Sequence, residues 1–144
     1  MIYWDTSALV AGLIGEDNSC LVFSFLKEHA NLKSYTSLFT FLEVESAFQR
    51  RLNDRSLSLD SVRVARVAVS RFRKNVRVIS ADESLLDIAL HYQKIYGLRA
   101  GDALQLASAR AGVETSSRVQ FMCLDKLLNQ AALQEGFELC IAGY

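Results

Sequence analysis

Proline is absent from the 144 residues and glycine occurs only seven times, so the chain has little material for linkers between separately folded modules. No internal repeat and no low-complexity tract interrupts it. Cysteine is scarce as well. Cys20, Cys123 and Cys140 are odd in number and lack the CxxC spacing of a metal knot or redox pair, so they read as reduced core residues of a cytoplasmic protein. The two histidines, His29 and His91, lie far apart and argue against zinc, which leaves them surface or core positions. Long apolar runs are missing too. The most apolar early stretch, Cys20 to Leu26, ends at Lys27, Glu28 and His29, well short of the ~20 residues that cross a bilayer. Ile2, Tyr3 and Trp4 directly after Met1 leave no room for a basic, then apolar, export leader, so none is expected.

What is present suits one compact body. About half of the residues are apolar (51%) and 22% are charged, a balance that supports a core and excludes a disordered chain. We expect a single domain over residues 1–144. The net charge of zero conceals a division along the chain. Residues 1–48 carry two lysines against six acids, net −4; residues 49–77 carry eight arginines and one lysine against two acids, net +7; residues 78–144 carry five bases against eight acids, net −3. That pattern predicts an acidic region set apart from a basic one, as a phosphate-bearing ligand held through metal would favour; a solvated basic helix face is the plainer alternative.

Strand-length apolar runs fall at Ile2–Trp4, Ser34–Thr36, Val76–Ile79, Val119–Leu124 and Glu138–Ile141. Helical patterns fill the gaps. Leu38–Leu52 follows the capping hydroxyls of Thr36 and Ser37, and Ala81–Tyr96 starts near Ser80 and Asp82 and stops at Gly97. Between them Leu59, Val62, Ala65, Val69 and Phe72 recur at helical spacing, with Arg63, Arg66, Arg73 and Lys74 on another side. Two more helices run from about Asp102 to Ala111 and from Asp125 to Glu135, closed by Gly112 and Gly136. The alternation predicts an α/β domain with a central, mostly parallel sheet flanked by helices on both faces.

In such sheets ligands bind beyond the carboxyl ends of the strands. Asp5 and Asp125 each follow a strand there, and Asp102 heads its own helix. Taken singly, each is explained by helix capping. Taken together, they would converge on one sheet edge, where like charges repel unless a cation neutralises them. Carboxylates without clustered His or Cys suit Mg²⁺ or Mn²⁺. A fourth acid is expected from the helix Leu38–Leu52, which carries Glu43 and Glu45. Helical projection places Glu45 amid the stripe of Leu38, Phe41, Leu42, Phe48 and Leu52, so periodicity nominates Glu45 as the buried acid.

Four segments in order resemble the PIN domain, and within it the VapC-type toxins: residues 2–10 (IYWDTSALV), 40–47 (TFLEVESA), 98–107 (LRAGDALQLA) and 121–126 (FMCLDK). The resemblance implies that Asp5, Glu43, Asp102 and Asp125 form a metal-binding, catalytic acidic quartet. It prefers Glu43 to Glu45, because the family acid precedes an aliphatic residue and stands four before a small one; the conflict with periodicity stays open. Thr6 matches a hydroxyl residue that serves a water on the metal or the scissile phosphate, and a helix-start hydroxyl is the plainer role. Cys123 stands where the family often has Thr or Ser, and Gln105 where a His is frequent. The resemblance further implies a Mg²⁺-dependent (or Mn²⁺-dependent) endoribonuclease leaving a 5′-phosphate, an RNA substrate guided by arginines between Arg50 and Arg77, a cognate antitoxin and a homodimer through helices such as Leu38–Leu52. Three other readings compete. One is a non-toxin RNA-processing nuclease, one an inert PIN scaffold, and one a phospho-receiver-like binding module, disfavoured because Asp5 has no acidic neighbour.

Overall fold

The structure, a computed structural model, describes residues 1–15, 19–29, 31–114 and 118–141. Its elements in chain order are β1 (Ile2–Trp4), α1 (Thr6–Ile14), α2 (Ser19–Glu28), β2 (Ser34–Ser37), α3 (Leu38–Asn53), α4 (Leu59–Asn75), β3 (Arg77–Ile79), α5 (Glu83–Tyr96), α6 (Ala100–Ala111), β4 (Gln120–Met122), α7 (Lys126–Gln134) and β5 (Glu138–Leu139). The five strands form one sheet in the order β3-β2-β1-β4-β5, and every pairing in it is parallel. Parallel neighbours need crossover connections, and the helices supply them on both faces.

The central strand shows why both faces are covered. Ile2, Tyr3 and Trp4 are all buried, and alternate side chains of a strand point to opposite faces. Tyr3 enters the cluster built with Tyr35, Phe121 and the inner residues of α5, α6 and α7. Its ring stacks on Phe121 at 5.2 Å and meets Tyr35 edge-on at 5.1 Å. Ile2 and Trp4 face the other way, into a cluster with Ala8 of α1, Val22 and Phe25 of α2 and Phe72 of α4. A third cluster joins α1, α3 and α4 through Val10, Val44, Phe48 and Val62.

Local chemistry sets the boundaries. Ser37, Ser58 and Asp82 cap α3, α4 and α5 by accepting backbone N–H bonds, and Gly97 ends α5 in the left-handed conformation at φ 65°. Two expectations need correction. The buried face of α3 is Thr40, Val44, Ala47 and Phe48, whereas Leu42 is 67% exposed and Leu38 42%. Phe48 apart, that face carries small or β-branched side chains, so the leucines mark the wrong one. Cys20 is exposed and Cys140 half-buried; of the three thiols, Cys123 is the core residue. Part of the basic segment is engaged in ion pairs: Arg63 pairs with Asp60, Arg66 with Glu45 and Arg77 with Glu114. Among the described residues, no single helix is long and apolar enough to cross a membrane.

Candidate active site

Strand order reverses between β1 and β4, the switch point at which open α/β sheets bind ligands. The strands end level there, with Trp4 opposite Met122 and the Asp5 amide donating to the Met122 carbonyl at 3.0 Å. Beyond this edge lies a cleft of about 960 Å³ whose walls carry Asp5, Glu43, Asp102 and Asp125 together with Thr6 and Ser7. The four acids of the quartet thus come from α1, α3, α6 and α7 to one hollow. Glu45 does not join them. It leans away to α4, where Arg66 grips it with two bonds of 3.1 and 2.5 Å, and that guanidinium holds its carboxyl below the ordinary range.

Capping accounts for two of the acids. Asp5 caps α1 by accepting from the Ser7 amide at 2.9 Å, and Asp125 caps α7 by accepting from the Leu128 amide at 2.8 Å. The Ser7 hydroxyl at 2.5 Å and the Cys123 thiol at 3.4 Å bind the same Asp5 oxygen, Oδ2, so Oδ1 takes no hydrogen bond among the described residues. Asp5 is 4% exposed, and its burial raises its pKa against the lowering effect of the Ser7 bonds. Ser7 also ties the two sides of the switch point, because its hydroxyl accepts from the Leu124 amide at 2.9 Å.

Asp102 is not a cap. α6 begins two residues earlier, at Ala100, and Asp102 sits in its first turn. Its carboxylate has no hydrogen-bond partner among the described residues. Half-burial, then the charges of Asp125, Asp5 and Glu43, raise its pKa to about 6, with Arg99 offsetting a little. A carboxylate so placed is electrostatically unsatisfied by the protein alone.

Glu43 is held through one carboxylate oxygen. Thr6 donates to its Oε2 at 2.5 Å and Gln105 Nε2 to the same oxygen at 2.5 Å. Gln105 is 1% exposed. Its carbonyl oxygen accepts from Tyr3 Oη, and its amide also donates to Thr6 Oγ1 at 2.9 Å. Gly101 completes the seat, since a β-carbon there would stand 2.6 Å from Glu43 Oε1. Gln105 and Cys123, the two departures from the family pattern, therefore touch Glu43 and Asp5 directly. Neither Gly101 nor Ser7 stands out in the sequence by itself. A glycine at the second position of a helix, where propensity disfavours it, is the signal that points to close approach.

Residues 2–115 match the PIN domain. The chain belongs to the PIN domain family. PIN domains are generally nucleases and typically use divalent metal ions. The match ends before β4, so the PIN segment contains Asp5, Glu43 and Asp102, while Asp125 is added by the fold. Among curated proteins none matches the chain. The donor set of this PIN domain is hard oxygen throughout, as Mg²⁺ or Mn²⁺ prefers. As they stand, no three acidic, histidine or cysteine side chains among the described residues are close enough to grip one ion. Asp5, Glu43 and Asp125 are each turned to hydrogen-bond donors of their own.

Proposed function

We propose that this PIN domain protein is a Mg²⁺-dependent (or Mn²⁺-dependent) endoribonuclease, with Asp5, Glu43, Asp102 and Asp125 as metal-holding carboxylates and Thr6 as their hydroxyl neighbour. One observation carries the reading: Asp102 lies half-buried among three other carboxylates without a hydrogen-bond donor, with its pKa raised to about 6. A divalent ion relieves that repulsion, and when bound it supplies Lewis acidity for phosphodiester hydrolysis. The chain's own residues then have separable roles. Gln105 and Thr6 orient the Glu43 carboxylate, and Ser7 and Cys123 fix Asp5 through Oδ2 with Oδ1 turned free. Asp102 is the remaining acceptor, its carboxylate without a hydrogen bond among the described residues. Among the described residues no His or Cys lines the cleft, and the hydroxyls of Ser7, Ser46 and Ser56 are hydrogen-bonded to Asp5 and to the Leu42 and Arg51 carbonyls, which fits hydrolysis by water.

By its four motif segments the protein resembles VapC-type toxins, and we extend the proposal to that role: a cytoplasmic toxin, restrained by a cognate antitoxin and paired as a homodimer. Purified protein is expected to cleave RNA with Mg²⁺ and to stop with EDTA. Asp102→Asn, which keeps shape and removes charge, is expected to lose cleavage by two orders of magnitude or more while its circular dichroism is unchanged. Equal cleavage by Asp102→Asn and the parent would refute the assignment. Growth arrest on expression, relieved by the product of a neighbouring gene, tests the toxin role separately.

A further inference from the structure

Gln105 stands on α6 between the core and the acidic cleft, and its side-chain amide has two chemically opposite ends. The nitrogen carries two protons and the oxygen none. A half-turn exchanges them with almost no change of shape, so the hydrogen bonds around the group decide which end faces Glu43. Nε2 donates to Glu43 Oε2 at 2.5 Å and to Thr6 Oγ1 at 2.9 Å. Thr6 gives its own proton to the same Glu43 oxygen at 2.5 Å. The open question is what holds the other end.

A hydroxyl has a single proton to donate, so the donors can be counted. Thr36 donates to the Trp4 carbonyl at 2.7 Å. Thr40, 2.7 Å from Thr36 Oγ1, therefore supplies the proton of that contact and has none left for Gln105 Oε1, although it stands 3.3 Å from it. The Thr40 oxygen also lies 3.2 Å from Nε2, where it shares a proton as an acceptor. Among the described residues, the phenol of Tyr3 is the donor that remains for Oε1. The core fixes that phenol in place. Its ring stacks on Phe121 and meets Tyr35 edge-on, and Tyr3 is wholly buried.

Resting on the metal-dependent nuclease reading above, we infer that Tyr3 is a positioning residue of the acidic site: by donating to Gln105 Oε1, its hydroxyl aims Gln105 Nε2 at Glu43 Oε2 and leaves Glu43 Oε1 for the cation. Without that hydroxyl the amide oxygen is a buried acceptor lacking a donor, and the reversed amide sets an oxygen against the Glu43 carboxylate. Tyr3 itself lines no part of the cleft. Its influence passes through Gln105, from the middle of the central strand to a carboxylate on α3.

The test is Mn²⁺ affinity by titration calorimetry on the full chain, without RNA. Tyr3→Phe keeps the ring and removes the hydroxyl; it is expected to weaken Mn²⁺ binding about tenfold, as loss of an outer hydrogen-bond partner does at metal sites. Tyr35→Phe is the control. It removes another buried phenol of the same core cluster, one that donates to the Ala109 carbonyl at 2.9 Å, and should lower the melting temperature comparably with Mn²⁺ affinity unchanged. Gln105→Leu should weaken binding at least as much as Tyr3→Phe, and Tyr3→Phe/Gln105→Leu no further, because the hydroxyl acts through the amide. An unchanged affinity in Tyr3→Phe, an equal loss in Tyr35→Phe, or losses that add in the double variant overturn the positioning role. The expected pattern in a protein that never cuts RNA keeps that role and removes the nuclease reading. RNA cleavage by a parent whose Mn²⁺ affinity is indifferent to Tyr3→Phe does the reverse, and a parent that binds no Mn²⁺ overturns both.

Discussion

Asp102 concentrates the conflict between stability and function in a single side chain. Its carboxyl titrates at about 6 in the folded protein against 3.8 as the ordinary value, so between those values the folded state holds a proton that the unfolded chain has lost. The folded state is therefore favoured by acid through this group, and its contribution turns unfavourable as pH rises through about 6. The full shift would correspond to about 3 kcal/mol; a half-exposed group keeps a fraction, about 1 kcal/mol after solvent screening. Asp102→Asn removes the charge at constant shape. Without metal at about pH 7.5 the variant is expected to melt a few degrees above the parent, at roughly 2–4 °C per kcal/mol for a chain of this size. The gap should narrow as pH falls through about 6 and close below 3.8, where the unfolded chain carries the proton as well. Added Mg²⁺ should raise the melting temperature of the parent and leave the variant unmoved. A variant that melts below its parent in EDTA would mean that Asp102 is a structural partner and not a strained ligand.

At the scale of elements, the approach of α3 to α6 decides where Glu43 stands. Gly101 lets the two meet, and a methyl there would press on Glu43 Oε1 at 2.6 Å. Because Thr6 and Gln105 hold the other oxygen, the carboxylate cannot swing aside without breaking those bonds. Gly101→Ala gains up to about 1 kcal/mol of helix propensity, so its melting temperature should stay within a few degrees of the parent. Its Mg²⁺ affinity by calorimetry and its cleavage rate should each fall about tenfold or more, on the order of 1.4 kcal/mol. Loss of activity together with a collapse of stability would show a packing defect instead. The same pair of helices shows what was legible beforehand. Strand positions and the caps Ser37, Asp82 and Gly97 were readable, because each follows from local chemistry. The choice between Glu43 and Glu45 was not, since it depends on Arg66 from another helix, on Gly101, and on a buried face of α3 marked by Thr40, Val44 and Ala47 rather than by leucines. Resemblance named the acid that lines the cleft, and periodicity the one that Arg66 holds. Gln105 stands out in the sequence as a departure, but its grip on Glu43 needs Tyr3 of β1 and Thr6 of α1 in place, a tertiary arrangement that no spacing along the chain encodes.

For the whole molecule, the question is what covers the apolar surface that folding leaves outside. α3 exposes Leu38 and Leu42, and α5 exposes Leu86, Leu90 and Ile95. A homodimer that buried them would follow from the proposal above, since exposed apolar surface favours association. Sedimentation velocity should report a dimer at micromolar concentration, and Leu42→Glu with Leu86→Glu should give a folded monomer of unchanged helicity. A parent that sediments as a monomer at every concentration would dispose of this arrangement.

The seam between β1 and β4 has a consequence for the protein's synthesis. Asp5 finds Cys123 across 118 positions of chain, and the central strand lacks one of its two neighbours until β4 has left the ribosome. Contacts of that span form late, after nearly everything between them has been made. A nascent chain thus carries its first carboxylates for most of translation with no wall opposite them. If the finished protein cuts RNA, this topology spares the very message and ribosome that are producing it until the last strands emerge.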